Sequence, residues 1–278
     1  MSVAAITRLT DRIFLAEAGC RSVVLFRIGF ALWSLWFWAV RLPHVFELYC
    51  RPVLRRTHAV IHWIGAPLPP VWLAQAMIGA TILLILGFGF SRRPRRFHTL
   101  LFIPLCFLYA FDPRSGGGYG GLALVVWGLL FFAPYERWSS ADGGPATGPV
   151  TAQRLLMLQW ASVYAFTVPS KLLDGAGWLN GEALWRALHS DHVGRFLLSE
   201  WVDIPLSACA VASLCVLAAE AFVAVGIWFG RTRMAAMVVC VALHLGMALT
   251  LRISPLFHTL MLLHLVLFLP ETTWNRRR

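Results

Sequence analysis

Long apolar blocks separated by short basic runs set the rhythm of this chain. Val23–Val40, Val71–Phe90, Phe97–Phe111, Leu122–Phe132, Thr151–Val168, Ile204–Gly230, Met234–Leu251 and Pro255–Leu269 are predominantly apolar. A helix apolar all round belongs in a core or a bilayer, and a bilayer helix takes about 20 residues. The pattern predicts an all-α integral membrane protein of about eight transmembrane helices, a single domain over 1–278 with no separate soluble domain. Residues 41–70 are mixed: Arg51, Arg55, Arg56, His58 and His62 alternate with Val60, Ile61 and Trp63, as in an interfacial amphipathic helix. Residues 171–203 form a long polar connection expected to hold one or two short helices. Residues 1–22 are polar, without a small-residue cleavage site after the next apolar block, so no signal peptide is expected.

Composition agrees: 59% of residues are hydrophobic and 13% charged, against about 25% charged in ordinary globular domains. The net charge of +11 does not point to nucleic acid, because the arginines sit in short runs between apolar blocks, where they report orientation. Placing Arg8, Arg12 and Arg21, the Arg92–Arg96 run, Arg231 with Arg233, and Arg276–Arg278 on the cytoplasmic side satisfies all eight spans. The expected location is the cytoplasmic membrane, multi-pass, with both termini inside, and with membrane lipids as partners. Lys171, the Gly116–Gly121 loop and the 171–203 segment then face outward. The glycine loop matches no nucleotide-binding pattern. The six cysteines show no Cys-x-x-Cys spacing, so no disulfide framework and no metal site are expected.

Chemistry concentrates in a few residues. Lys171 is the only lysine among 24 basic residues and follows Pro169, where the fifth span is expected to end. If charge alone mattered, arginine would serve; lysine differs in that desolvation can make its amine a working base. Glu220, His244, His258 and His264 lie within spans, where ionisable groups are costly and mark functional sites or interhelical hydrogen bonds. A buried Glu220 needs a partner or a proton. His189 and His192 read as surface residues.

In order along the chain come Phe26-Arg27-Ile28-Gly29-Phe30, Pro67-Leu68-Pro69 with Trp72, and Asp112 before Tyr119-Gly120. Ala133-Pro134-Tyr135 then leads to Trp138-Ser139, Tyr164 to Lys171 precedes Trp178-Leu179-x-Gly181, and His244 precedes Ser254-Pro255-Leu256-Phe257. In this order they resemble the membrane domain of the vitamin K-dependent γ-carboxylase family, also called the HTTM (horizontally transferred transmembrane) family. The resemblance covers most of the chain. It implies a lysine base on the outer face that deprotonates a reduced naphthoquinone, a lipid quinol. Oxidation of the quinol to its epoxide by oxygen then drives removal of a γ-proton from a peptide glutamate, which takes up carbon dioxide. Lys171 matches the base to within one residue. Lys171, on this resemblance, and Glu220 and His244, as ionisable groups within spans, are expected to be catalytic, and Tyr119, Trp178, Tyr164, His258 and Arg27 are expected to bind substrate or cofactor. An Asn-His pair in the family enzyme's loop is replaced here by Gly116-Gly117-Gly118, and its large C-terminal extracytoplasmic region has no counterpart. Short bacterial members are associated with maturation of exported toxin peptides. The alternative expectation is a non-catalytic membrane factor that matures or exports a secreted peptide precursor with a partner protein.

Overall fold

The computed structural model describes residues 16–50, 63, 65, 67–111, 119–136, 146–173, 176–195 and 204–270. The expected interfacial helix around Arg51–His62 and the Gly116–Gly118 loop lie outside them.

The chain is mostly helical, and each of the eight expected segments contains a helix. Among the described residues four helical stretches are long and apolar enough to cross a membrane: Arg21–His44, Val71–Phe90, Leu206–Gly226 and Arg233–Thr250. The other four fall short for identifiable reasons. Tyr119–Phe131 has 13 residues, a rise of about 20 Å against a hydrocarbon core of about 30 Å. Pro255–Leu263 passes into a 3-10 turn, His264–Phe268. Pro94–Phe111 opens on Arg95 and Arg96, and Thr151–Leu173 carries Gln153, Arg154 and Gln159.

Two compact units divide the chain. The first comprises Met1–Leu156 and Pro270–Arg278. Its helices are α1 (Arg21–Ala39), α2 (Val71–Phe90), α3 (Pro94–Phe111) and α4 (Tyr119–Phe131). Two three-residue strands, β1 (Glu17–Gly19) and β2 (Thr147–Pro149), pair antiparallel with Ala18 opposite Gly148. Aromatic side chains one turn apart stack along α1: Phe26 on Phe30, Phe30 on Trp33, Trp33 on Phe37. Gly89 lets α2 approach α1, since a Cβ there would lie 2.8 Å from that of Ala31; such small residues bring apolar helices together. Below them His98 is buried, its Nδ1 2.7 Å from the Tyr135 hydroxyl and its Nε2 3.1 Å from the Trp127 carbonyl. Burial pushes the Tyr135 phenol up to about 12, the nearby Arg95 and Arg27 opposing that and Glu136 adding to it. The phenol therefore keeps its proton at neutral pH and donates to His98 Nδ1. The carbonyl accepts from Nε2–H, which fixes the tautomer.

The second unit is Met157–Leu269. It holds most of α5 (Thr151–Leu173), then α6 (Ala176–Leu179), α7 (Glu182–His189), α8 (Leu206–Gly226), α9 (Arg233–Thr250) and α10 (Pro255–Leu263). Its long helices are apolar outward and polar inward, the reverse of a water-soluble bundle. On α9, Met234, Val238, Val241, Leu245 and Leu249 are exposed, while Cys240 and His244 are buried. On α8, Val211, Leu214 and Val225 are exposed, while Ser213 and Glu220 are buried. Trp160 ties α5 to α10, its indole N–H donating to the Met261 carbonyl at 2.8 Å. Gly181, which caps α7 at φ +84°, is held against α8: a Cβ would lie 2.2 Å from the Ala210 nitrogen.

α5 corrects one expectation. It does not end near Pro169 but runs on to Leu173, with Pro169 inside. Proline removes one donor from the ladder, yet a final turn can continue beyond it. Lys171 therefore belongs to α5.

Candidate functional site

Tyr164 and Lys171 are seven residues apart, two helical turns, so α5 presents both on one side. Ser213 and Glu220 repeat that spacing on α8, and Cys240 and His244 stand one turn apart on α9. These three polar stripes meet inside the second unit.

The first cluster is an ion pair. Lys171 Nζ lies 2.6 and 2.8 Å from the two Glu220 oxygens. Side-chain exposure is 16% for Lys171 and 6% for Glu220, so the pair is largely withdrawn from solvent. The ammonium also lies 4.4 Å from the centroid of the Trp178 ring, carried by α6, a cation–π arrangement that strengthens when water is excluded. The predicted partner for the buried carboxylate is thus the predicted base itself.

The second cluster is a chain. The Tyr164 hydroxyl sits 2.7 Å from His244 Nε2 and 3.3 Å from the Cys240 sulfur. His244 Nδ1 lies 2.9 Å from His258 Nδ1, so α10 continues what α5 and α9 begin. His258 is 5% exposed and its Nε2 has no hydrogen-bond partner among the described residues. Two proton arrangements satisfy the chain. In one, Tyr164 donates to His244, His244 to His258, and His258 Nε2 carries an unused N–H. In the other, every bond is reversed, Tyr164 donates to Cys240, and His258 Nε2 is a bare acceptor. Either way the chain ends on a nitrogen with no hydrogen-bond partner among the described residues, and moving one proton along it inverts every bond. Glu220 is close enough to Tyr164 to act on it electrostatically, which links the clusters.

The structure thus brings together Lys171, Glu220 and Trp178, and joins Tyr164, His244 and His258. Arg27 and Tyr119 belong to the first unit. Arg27 donates to the Gly89 carbonyl at 3.4 Å, and Tyr119 meets Phe37 edge-on. His264 Nδ1 donates to the Leu260 carbonyl one turn back, at 2.8 Å. Among the described residues no three His, Cys, Asp or Glu side chains form a group that could hold a metal ion. His189 stacks on Trp185 and His192 is exposed. The sequence reading passed over Cys240 and Ser213. Ser213 Oγ is buried without a hydrogen-bond partner, and its seven-residue spacing from Glu220 was the available signal.

No family model, no curated protein and no solved structure matches this chain.

Proposed function

We propose that this chain is an integral membrane enzyme that resembles the γ-carboxylase membrane domain. It would use a lipid quinol, oxygen and Lys171 to modify an exported peptide, by carboxylation or related chemistry. The observation that carries the reading is the buried Lys171–Glu220 pair beside Trp178. Transfer of one ammonium proton to Glu220 leaves a neutral amine beside a carboxylic acid and creates no net charge. That is how a buried pair can present a base without stranding an ion. When bound, a reduced naphthoquinone supplies an acidic hydroxyl and two reducing equivalents. His258 Nε2 and Ser213 Oγ, buried without a hydrogen-bond partner among the described residues, would be available to the oxygens of such a group. The Tyr164–His244–His258 chain can carry a proton away from that region.

The test is Lys171→Arg, which keeps the charge and a partner for Glu220. Oxygen-dependent consumption of a naphthoquinol by the purified protein, with a glutamate-containing peptide and bicarbonate, should fall about 10²–10⁴-fold, the usual worth of a general base. Undiminished consumption by the folded variant would overturn the reading. The two-oxygen grip of Glu220 favours a second reading in that event: a non-catalytic factor for a secreted peptide, in which Lys171 only tethers α5 to α8.

The same reading takes all eight apolar segments as spans, with both termini cytoplasmic. Four agreeing arginine clusters support it. In a background without the native cysteines, single cysteines at Pro94 and Gly116 should react with an impermeant label from opposite sides. Labelling from one side sinks the topology.

A further inference from the structure

A cavity of about 510 Å³ lies in the first unit, lined by Arg92, Arg93, Arg95, Arg96, Thr99 and Glu136. Four guanidinium groups face one carboxylate. Arg95 alone satisfies that carboxylate, at 3.1 Å, and also donates to the Ala133 carbonyl. Arg92, Arg93 and Arg96 have no ion-pair partner among the described residues. The group sits at the first turn of α3, an 18-residue helix, whose free amides add to the positive potential. Arg27, buried, adds another positive charge nearby: its guanidinium and that of Arg95 lie 5.8 and 5.6 Å from the centroid of the Tyr135 ring. Arg27 Nε and Nη1 have no hydrogen-bond partner among the described residues.

What flanks the cavity selects the ligand. Leu83, Leu86 and Phe90 form an exposed stripe down the last turns of α2, and Leu100 and Ile103 are exposed on α3. A cationic recess at the end of two apolar exposed helix faces matches one kind of molecule, with an anionic head and hydrocarbon tails. We propose that this cavity is a binding site for the phosphodiester headgroup of an anionic phospholipid. Arg92, Arg93 and Arg96 hold the phosphate oxygens, and the α2 and α3 stripes lie along the acyl chains. Guanidinium groups suit that role because they bind phosphate through two parallel N–H bonds. The site is indifferent to which leaflet holds it, and the Lys171 cluster takes no part.

The test uses delipidated full-length protein in a neutral detergent, titrated with short-chain phosphatidylglycerol. Native mass spectrometry reads the bound fraction, and short-chain phosphatidylcholine and inorganic phosphate are run in parallel. Phosphatidylglycerol should bind ahead of phosphatidylcholine and resist displacement by an equal concentration of phosphate. Arg92→Gln with Arg93→Gln should weaken it about thirty-fold, from about 1 kcal/mol per surface arginine. Binding that survives this double change, or shows no preference over phosphatidylcholine, overturns the site. Displacement by equimolar phosphate overturns its assignment to lipid. Because neither side chain has a hydrogen-bond or ion-pair partner among the described residues, the melting temperature should hold. Should that variant not fold, Glu136→Gln decides: it removes the one competing carboxylate and must tighten phosphatidylglycerol binding, and unchanged or weaker binding overturns the proposal.

Discussion

Each unit buries a hydrogen-bonded histidine, and the two are built to opposite ends. In the first, His98 uses both ring nitrogens, one on the Tyr135 hydroxyl and one on the Trp127 carbonyl, and the network closes on itself. In the second, His244 also uses both nitrogens, but one leads to His258, whose outer nitrogen has no hydrogen-bond partner among the described residues. A closed network contributes to stability and has a single proton arrangement. An open one leaves a desolvated polar atom, at a cost of about 1–3 kcal/mol, and has two arrangements of similar standing. Only the second ends on a buried nitrogen without a hydrogen-bond partner among the described residues. The Lys171–Glu220 pair differs again: the ammonium nitrogen lies 2.6 and 2.8 Å from the two carboxylate oxygens, so both partners are engaged.

The contrast can be broken in order of expected effect. Lys171→Ala strands the Glu220 carboxylate and should cost about 3–5 kcal/mol in denaturant unfolding in detergent. Adding Glu220→Leu should recover most of that loss, as replacing a buried pair by apolar groups commonly does. A double variant no more stable than Lys171→Ala would mean that the pair itself carries the fold. Next comes a matched pair of substitutions at the histidines. His98→Leu leaves the Tyr135 hydroxyl and the Trp127 carbonyl unpaired and should lose about 1–3 kcal/mol. His258→Leu removes one hydrogen bond but also the unsatisfied nitrogen, so its loss should stay under about 1 kcal/mol. Equal losses at the two sites, measured by thermal unfolding, would erase the distinction between closed and open networks.

The helices were legible because a bilayer helix is a long, crude signal: α2 runs from Val71 to Phe90 as its apolar block does. The strands β1 and β2 were not, since three residues cannot show alternation and their pairing spans most of the first unit's sequence. Lys171 and Glu220 each stood out singly as charges where charges are costly. Their pairing was hidden because it depends on how α5 and α8 meet, 49 residues apart. His98 went unnoticed for a different reason. Flanked by Arg95, Arg96 and Thr99, it reads as the polar lip of a span, whereas α3 turns it inward against Phe88 and Trp127. Cys240 and Ser213 are small enough to pass for apolar packing in a transmembrane sequence, and only their neighbours reveal a polar role.

Pro169 gives the last turn of α5 a mechanical character of its own. With no amide hydrogen at 169, the Ala165 carbonyl receives no helical bond from that residue. The ladder is thinned between Tyr164 and Lys171, where the two clusters divide. Above the gap, Tyr164 is fixed by a continuous rod that Trp160 pins to α10. Below it, Lys171 rides on a segment coupled more weakly to that rod, and its position is set instead by the carboxylate of α8 and the indole of α6. The joint lets the amine shift relative to the tyrosine without bending the rest of the helix, so the spacing between the lysine–glutamate pair and the tyrosine–histidine chain is an adjustable dimension of the fold.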